Sequence, residues 1–352
     1  MKRALPILAI AFAACTNGRP AAPVVAPRPQ PLLGAHGLEL SAIDRTVAPC
    51  DDFYQYANGG WRAAHPLPAV YSRFGRFEEV AERNRETLRA ILEATAADAN
   101  AAPGSNAQKL GAFWGACMNE AAIEAAGAAP VRPDLERVDA INTRAALIAE
   151  IHRQHQQGIT PLFRFSAQND IRNSTQVIAA ISQGGLGLPD REYYLRDDEK
   201  FRNTRREYVA HLTKMFELAG VPRAKAETDA ERVISLETQL ARASMARADQ
   251  RKPENTYHIT PVSELQSNAP LFDWPSFFRG LNLADLRSLN VAQPEFIREA
   301  NRLLDEVPLE TWKAYLRWNV IDAAAPLLSS PFVNQDFAFR QTHLSGTREI
   351  QP

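Results

Sequence analysis

Residues 185–195 read GLGLPDREYYL, and the chain changes character on either side of them. Gly185, Gly187 and Pro189 are turn formers and carry no regular period, so the stretch is a Gly-rich loop. Upstream, LFRFSAQND (162–170) and TQVIAAIS (175–182) alternate around the turn-forming IRNS (171–174), which predicts a β-hairpin across 160–183. Downstream the apolar spacing becomes three and four. That spacing predicts a helix over Phe201–Ala219, stopped by Gly220 and Pro222, and a second from about Ala226 to Ala248. Shorter helices are expected across 260–306, and a longer one over Leu309–Leu328.

The first half of the chain is also helical. RFEEVAERNRETLRAILEATAA (76–97) sets Phe77, Val80, Ala81, Leu88, Ile91 and Leu92 on one stripe. Leu110, Phe113, Trp114 and Cys117 repeat in the same way. TRAALIAEIHRQHQQG (143–158) offers Thr143 as an N-cap and Gly158 as the residue just past the end. Before these helices, 38–75 is aromatic and irregular, with Asn58-Gly59-Gly60 as a turn signal. The fold class is therefore mainly α: a large multi-helix domain over 38–352 with one small β-hairpin and no internal repeat.

Composition fits a soluble globular chain, with 45% apolar and 23% charged residues. Forty basic side chains face 41 acidic ones, so no basic surface argues for a nucleic-acid partner. The N-terminus reads as a leader. MKR is a positive n-region, and ALPILAIAFAA (4–14) is an apolar run too short to span a bilayer. Ala13 and Ala14 before Cys15 make residues 1–15 resemble a bacterial lipobox, with Cys15 the lipidated residue. Cleavage by an ordinary signal peptidase is the other reading. Residues 16–37, rich in Pro and Ala, read as an extended tether. The chain is thus expected to be exported, either periplasmic or held at a bacterial membrane by a lipid anchor. Cys50 and Cys117 remain, as a pair or as free thiols.

Hydrolytic motifs are absent from the sequence. A zinc hydrolase needs two histidines on one helical face, a glutamate between them and a third ligand. The seven histidines are His36, His65, His152, His155, His211, His258 and His343, and none lies in HExxH. EIHRQHQQ places His152 and His155 three residues apart after Glu150, without the intervening glutamate. A polar helix face is the simpler reading of that pair. GxSxG, Walker and GxGxxG motifs do not occur either.

Three stretches carry a family resemblance: CDDFYQYANGGW (50–61) with YSRFGRFEEV (71–80) soon after, GLGLPDREYYL (185–195), and NQDFAFRQTHLSGTREIQP (334–352). In this order they resemble the N-terminal portion of the neprilysin-like (M13) zinc metallopeptidases, over essentially all of 38–352. The resemblance implies the N-terminal lobe of a bilobed metalloendopeptidase acting on short peptides. Zinc, in the family, sits on a C-terminal HExxH segment, so no zinc ligand is assigned to this chain. It further implies that Arg73 binds the C-terminal carboxylate of a peptide, with Glu78 where the family has an acidic residue beside that arginine. A guanidinium fork suits a carboxylate because it donates two parallel hydrogen bonds.

The segment 38–75, with Asp52, Phe53, Tyr56 and Trp61, is expected to fasten onto the catalytic lobe. Pro189, Asp190, Tyr193 and Tyr194 are expected to form a fixed turn. Cys50 and Cys117 match family cysteines whose partners lie beyond residue 352, and Asn58 stands where many members have Cys. The expected chain is an N-terminal, substrate-enclosing portion, inactive alone, whose partners are short peptides and a separate or missing catalytic domain. The alternative is a non-catalytic helical lipoprotein that binds peptides or a partner protein.

Overall fold

The computed structural model describes residues 39–351, so Cys15, the leader and the tether lie outside the described residues. The chain divides into two compact units. One comprises the described residues up to Pro66 together with Phe74–Trp114; the other comprises Leu67–Arg73 and the residues from Gly115 onward.

In the first unit, Asp52 caps the helix Phe53–Ala64 by accepting a hydrogen bond from the Gln55 amide at 2.9 Å. Asn58-Gly59-Gly60 lies inside this helix and is not a turn. The reason is a close approach. A Cβ on Gly60 would sit 2.1 Å from the Ser41 carbonyl oxygen, and one on Gly59 would sit 2.6 Å from Asp44 Cβ. Two glycines cost a helix about 1 kcal/mol each, and here they let it lie flush on the segment before it. The Asp44 amide donates to the Tyr56 carbonyl at 2.8 Å across that contact. The helix Arg76–Ala97 follows, with Glu78 and Glu79 in its first turn, where carboxylates complement the helix dipole. Gly111 of the helix Asn106–Cys117 permits another close approach, since its Cβ would meet the Thr95 carbonyl at 2.6 Å. Neither of these two helices contains a buried residue.

The second unit holds the core. Thr143 caps the helix Arg144–Gln156 by accepting from the Ala146 amide, and Gly158 leaves it at φ 83°, as expected. The predicted hairpin forms from β1 (Phe163–Asn169) and β2 (Val177–Gln183), antiparallel, with Phe163 opposite Gln183 and Asn169 opposite Val177.

Two further strands complete the sheet: β3 (Ile259–Pro261) and β4 (Ser288–Val291), in the order β1-β2-β4-β3. They lie where the sequence predicts only short helices. Runs of three and four residues are too short to show alternation, and β4 joins β2 in parallel through a non-local pairing. The long helices Glu199–Leu218 and Arg223–Ala243 pack beside Leu309–Ala324. This last helix is buried on most sides, through Trp312, Tyr315, Leu316, Trp318, Val320 and Ile321. After Ser330–Asp336 the backbone widens into a π-helical stretch, Phe337–His343. Beyond it, the Arg348 and Glu349 amides both donate to the Ala69 carbonyl, at 3.1 and 3.3 Å.

Candidate functional site

Arg73 is exposed and closes the Leu67–Arg73 segment of the second unit. Glu78 is half-buried in the first turn of Arg76–Ala97, in the first unit. Its carboxylate folds back toward Gly75, whose Cβ, were there one, would lie 3.3 Å from Glu78 Oε2. The backbone between them is pinned by an aromatic stack. Trp61 lies between His65 and Phe74, with ring centroids at 4.5 and 6.0 Å. The Arg76 guanidinium sits 5.0 Å from the Trp61 ring and pairs with Glu39 and with Glu79, the latter at 2.9 Å. Trp61 thus belongs to a packing motif, while Tyr56 is half-buried and Phe53 largely exposed.

The Gly-rich loop is built onto buried hydroxyl groups. Tyr315 Oη accepts from the Leu162 amide at 2.9 Å and donates to the Gly185 carbonyl at 3.0 Å. Gly185 has φ 75°, and a Cβ there would lie 2.6 Å from Tyr315 Oη. At Gly187 a Cβ would fall 1.9 Å from Tyr208 Oη. Tyr194 Oη accepts from the Leu188 amide and donates to Glu237 Oε2, both at 2.8 Å, while Tyr208 donates to Glu237 Oε1 at 3.1 Å. Burial pushes the Glu237 carboxyl up to about 8, against the downward pull of the two tyrosine hydrogen bonds. The loop's glycines therefore exist so that backbone can lie on this tyrosine–glutamate cluster. Asp190 Oδ1 accepts from the Glu192 amide at 2.9 Å and fixes the turn.

His152 and His155 are not a polar face. His155 is buried, its ring 4.5 Å from Phe163 and 5.2 Å from Phe277, and its Nε2 lies 3.0 Å from the Pro161 carbonyl. His152 packs edge-on against Phe272 and Phe277. Burial lowers both, His155 to about 4. His155 Nε2 is committed to the Pro161 carbonyl and His152 Nε2 is buried without a hydrogen-bond partner, with no carboxylate or thiol set beside them among the described residues, so the donor set does not fit a zinc site. Among the described residues no three His, Cys, Asp or Glu side chains converge as a metal site. Cys50 and Cys117 are free thiols, and both are exposed.

The sequence reading missed several buried polar residues. Glu237 occupies a stripe position between Val233 and Leu240 on Arg223–Ala243, and Asp229 does so about two turns earlier. Arg317, 4% exposed, pairs with Asp229 at 3.0 Å and with Asp139. Arg340 joins Asp322 and Asp336. The available signal was a charge sitting where the helical period calls for an apolar residue.

The model of peptidase family M13 matches residues 49–352. The chain belongs to peptidase family M13. It is 29% identical to endothelin-converting enzyme 1 of Rattus norvegicus over 322 residues, covering 88% of this chain and 41% of that protein. It is 30% identical to membrane metallo-endopeptidase-like 1 of Homo sapiens, over 88% of this chain and 42% of that one. The crystal structure of the Mycobacterium tuberculosis zinc metalloprotease ZMP1 with an inhibitor superimposes with a TM-score of 0.82 at 30% identity. That match covers 89% of this chain and 48% of ZMP1. The chain thus spans about two fifths of the length of these curated M13 relatives. PepO of Lactobacillus rhamnosis shares the fold, at a TM-score of 0.75 and 16% identity. No helix among the described residues is long and apolar enough to cross a membrane.

Proposed function

We propose that this chain supplies the substrate-enclosing portion of an M13 zinc metalloendopeptidase that acts on short peptides, and that it is inactive by itself. The observation that carries the reading is the M13 match over 49–352 in a sequence without HExxH. The zinc and the groups that activate water would come from a segment outside this sequence, because the histidines present are committed to aromatic packing or lack ligand spacing.

Within this portion, Arg73 is the anchor for the C-terminal carboxylate of a peptide, and Glu78 is the acidic residue of the same sequence motif. The exposed position of Arg73 and the pinned backbone of Phe74–Arg76 support that role. The uncovered apolar side chains of the first unit, Phe53, Phe77, Leu88 and Phe113 among them, are a surface for the remainder of the M13 protein. Export, with Cys15 as a lipid attachment point, belongs to the same reading, since a peptidase tethered at a cell surface needs a leader and a spacer.

The test is peptide binding by the full chain, comparing a free C-terminal carboxylate with the C-terminal amide. The free acid should bind at least about tenfold more tightly, and Arg73→Ala should abolish the difference, as expected for loss of a charge-assisted pair. Equal binding of acid and amide would remove Arg73 from the anchor.

A further inference from the structure

We propose that the cavity beneath the Gly-rich loop is a binding site for a small oxyanion with two negative charges, of the phosphate or dicarboxylate class. It lies within the second unit and uses neither Arg73 nor Glu78. The cavity measures roughly 170 Å³. At about 30 Å³ per water, that is space for a small anion and a few retained waters.

Charge decides the class of ligand. Among the lining residues, Arg164, Arg191 and Arg247 face a single carboxylate, Asp190, so the lining carries an excess of two positive charges; Glu192, outside the lining, pairs with Arg191 at 3.5 Å. Arg164 stands on β1 opposite Ser182 and is exposed; among the described residues its guanidinium has neither an ion pair nor a hydrogen bond. Arg191 spends Nη1 on the Ser244 carbonyl. Its Nε is buried and no acceptor completes a hydrogen bond to it; the nearest carboxylate, Glu192, lies 3.5 Å away without the geometry for one. Arg247 donates to the Pro189 carbonyl at 2.9 Å and faces Asp190 Oδ2 at 3.2 Å, so Asp190 compensates that guanidinium alone. The donors left over belong to Arg164 and Arg191.

The back wall is already ordered. Gln183 Oε1 accepts from the Met245 amide at 2.7 Å, and Gln183 and Gln250 both donate to the Met245 carbonyl, at 3.1 and 2.8 Å. Binding therefore has to order mainly the Arg164 and Arg247 side chains, and a pre-formed wall lowers that cost. Guanidinium forks select oxygens held in a plane or on one phosphorus. Exposed single charges are screened by salt, so a doubly charged ligand is favoured over a monovalent one.

The experiment is calorimetric titration of the full chain with inorganic phosphate, and in a second arm with succinate, at fixed ionic strength. Saturable binding of at least one is expected, with acetate at least about tenfold weaker. Arg164→Ala should weaken binding about tenfold or more while leaving the ligand-free Tm unchanged, because Arg164 holds nothing in the fold. Arg164→Lys should recover only part of the loss. Arg247→Gln, which keeps a donor for the Pro189 carbonyl, should weaken binding independently. The two arms distinguish phosphate from dicarboxylate. Absence of saturable binding in both arms, or equal affinity in Arg164→Ala, would overturn the proposal.

Discussion

The helices Arg76–Ala97 and Leu309–Ala324 each carry ten apolar residues, the first over 22 positions and the second over 16, and meet opposite fates. The second buries Trp312, Tyr315, Leu316, Trp318, Val320 and Ile321. The first buries nothing: Phe77 is 90% exposed and Leu88 57%. An apolar stripe states that a helix face needs cover, but not that the cover is encoded nearby. In the second unit the partners are the helices Glu199–Leu218 and Arg223–Ala243. For the first unit we assign the cover to the portion of an M13 protein outside this sequence.

The largest expected effect sits in the covered unit. Asp229→Ala removes the buried carboxylate beside Arg317, leaving that guanidinium only the solvent-exposed Asp139, and should cost about 3–5 kcal/mol in denaturant unfolding. A loss near zero would mean that the second unit is not the stability-determining core.

A smaller, pH-dependent effect comes from Glu237. Its folded value, about 8, lies above the ordinary glutamate value of 4.5, so the folded state holds a proton that the unfolded state releases between these pH values. Stability from this group is complete below about pH 4.5 and declines as pH rises toward 8. Glu237→Gln should flatten that decline, a gain on the order of 2–4 kcal/mol at pH 9, read as Tm against pH. On the acid side, His211 and His155, lowered by burial to about 3 and about 4, act oppositely. They must gain protons on unfolding below about pH 6.5, so stability should fall there, and His211→Phe should soften the fall.

Gly60→Ala tests the tightest of the close glycine approaches described in the first unit. Its Cβ would meet the Ser41 carbonyl at 2.1 Å, and a cost of about 1–3 kcal/mol is expected. Hydrogen exchange should place the loss locally in residues 40–64. The smallest effect is predicted on the exposed stripe. Phe77→Ser with Leu88→Ser should change stability by less than about 0.5 kcal/mol while reducing dye binding and self-association. A large destabilisation by that pair would show that the stripe is covered within this chain, and the comparison would fail.

The same contrast explains what was legible in the sequence. Thr143, Gly158 and Gly220 announced helix ends because capping is local, and the hairpin announced itself by alternation. Gly59-Gly60 misled, because their purpose is a contact with Ser41 and Asp44 and not a local bend. Strands β3 and β4 were hidden by their brevity and their non-local pairing. His152 and His155 look polar by residue type, yet Phe163 on the next strand and Phe272 and Phe277, distant in sequence, enclose them. Glu237 was visible only as a misplaced charge; its meaning needed Tyr194 and Tyr208 beside it.

The most direct test of the central claim is hydrolysis of a short fluorogenic peptide by the purified full chain with zinc added. No turnover above buffer is expected, together with retained binding of the free-acid peptide. Zinc-dependent cleavage by this chain alone would contradict it.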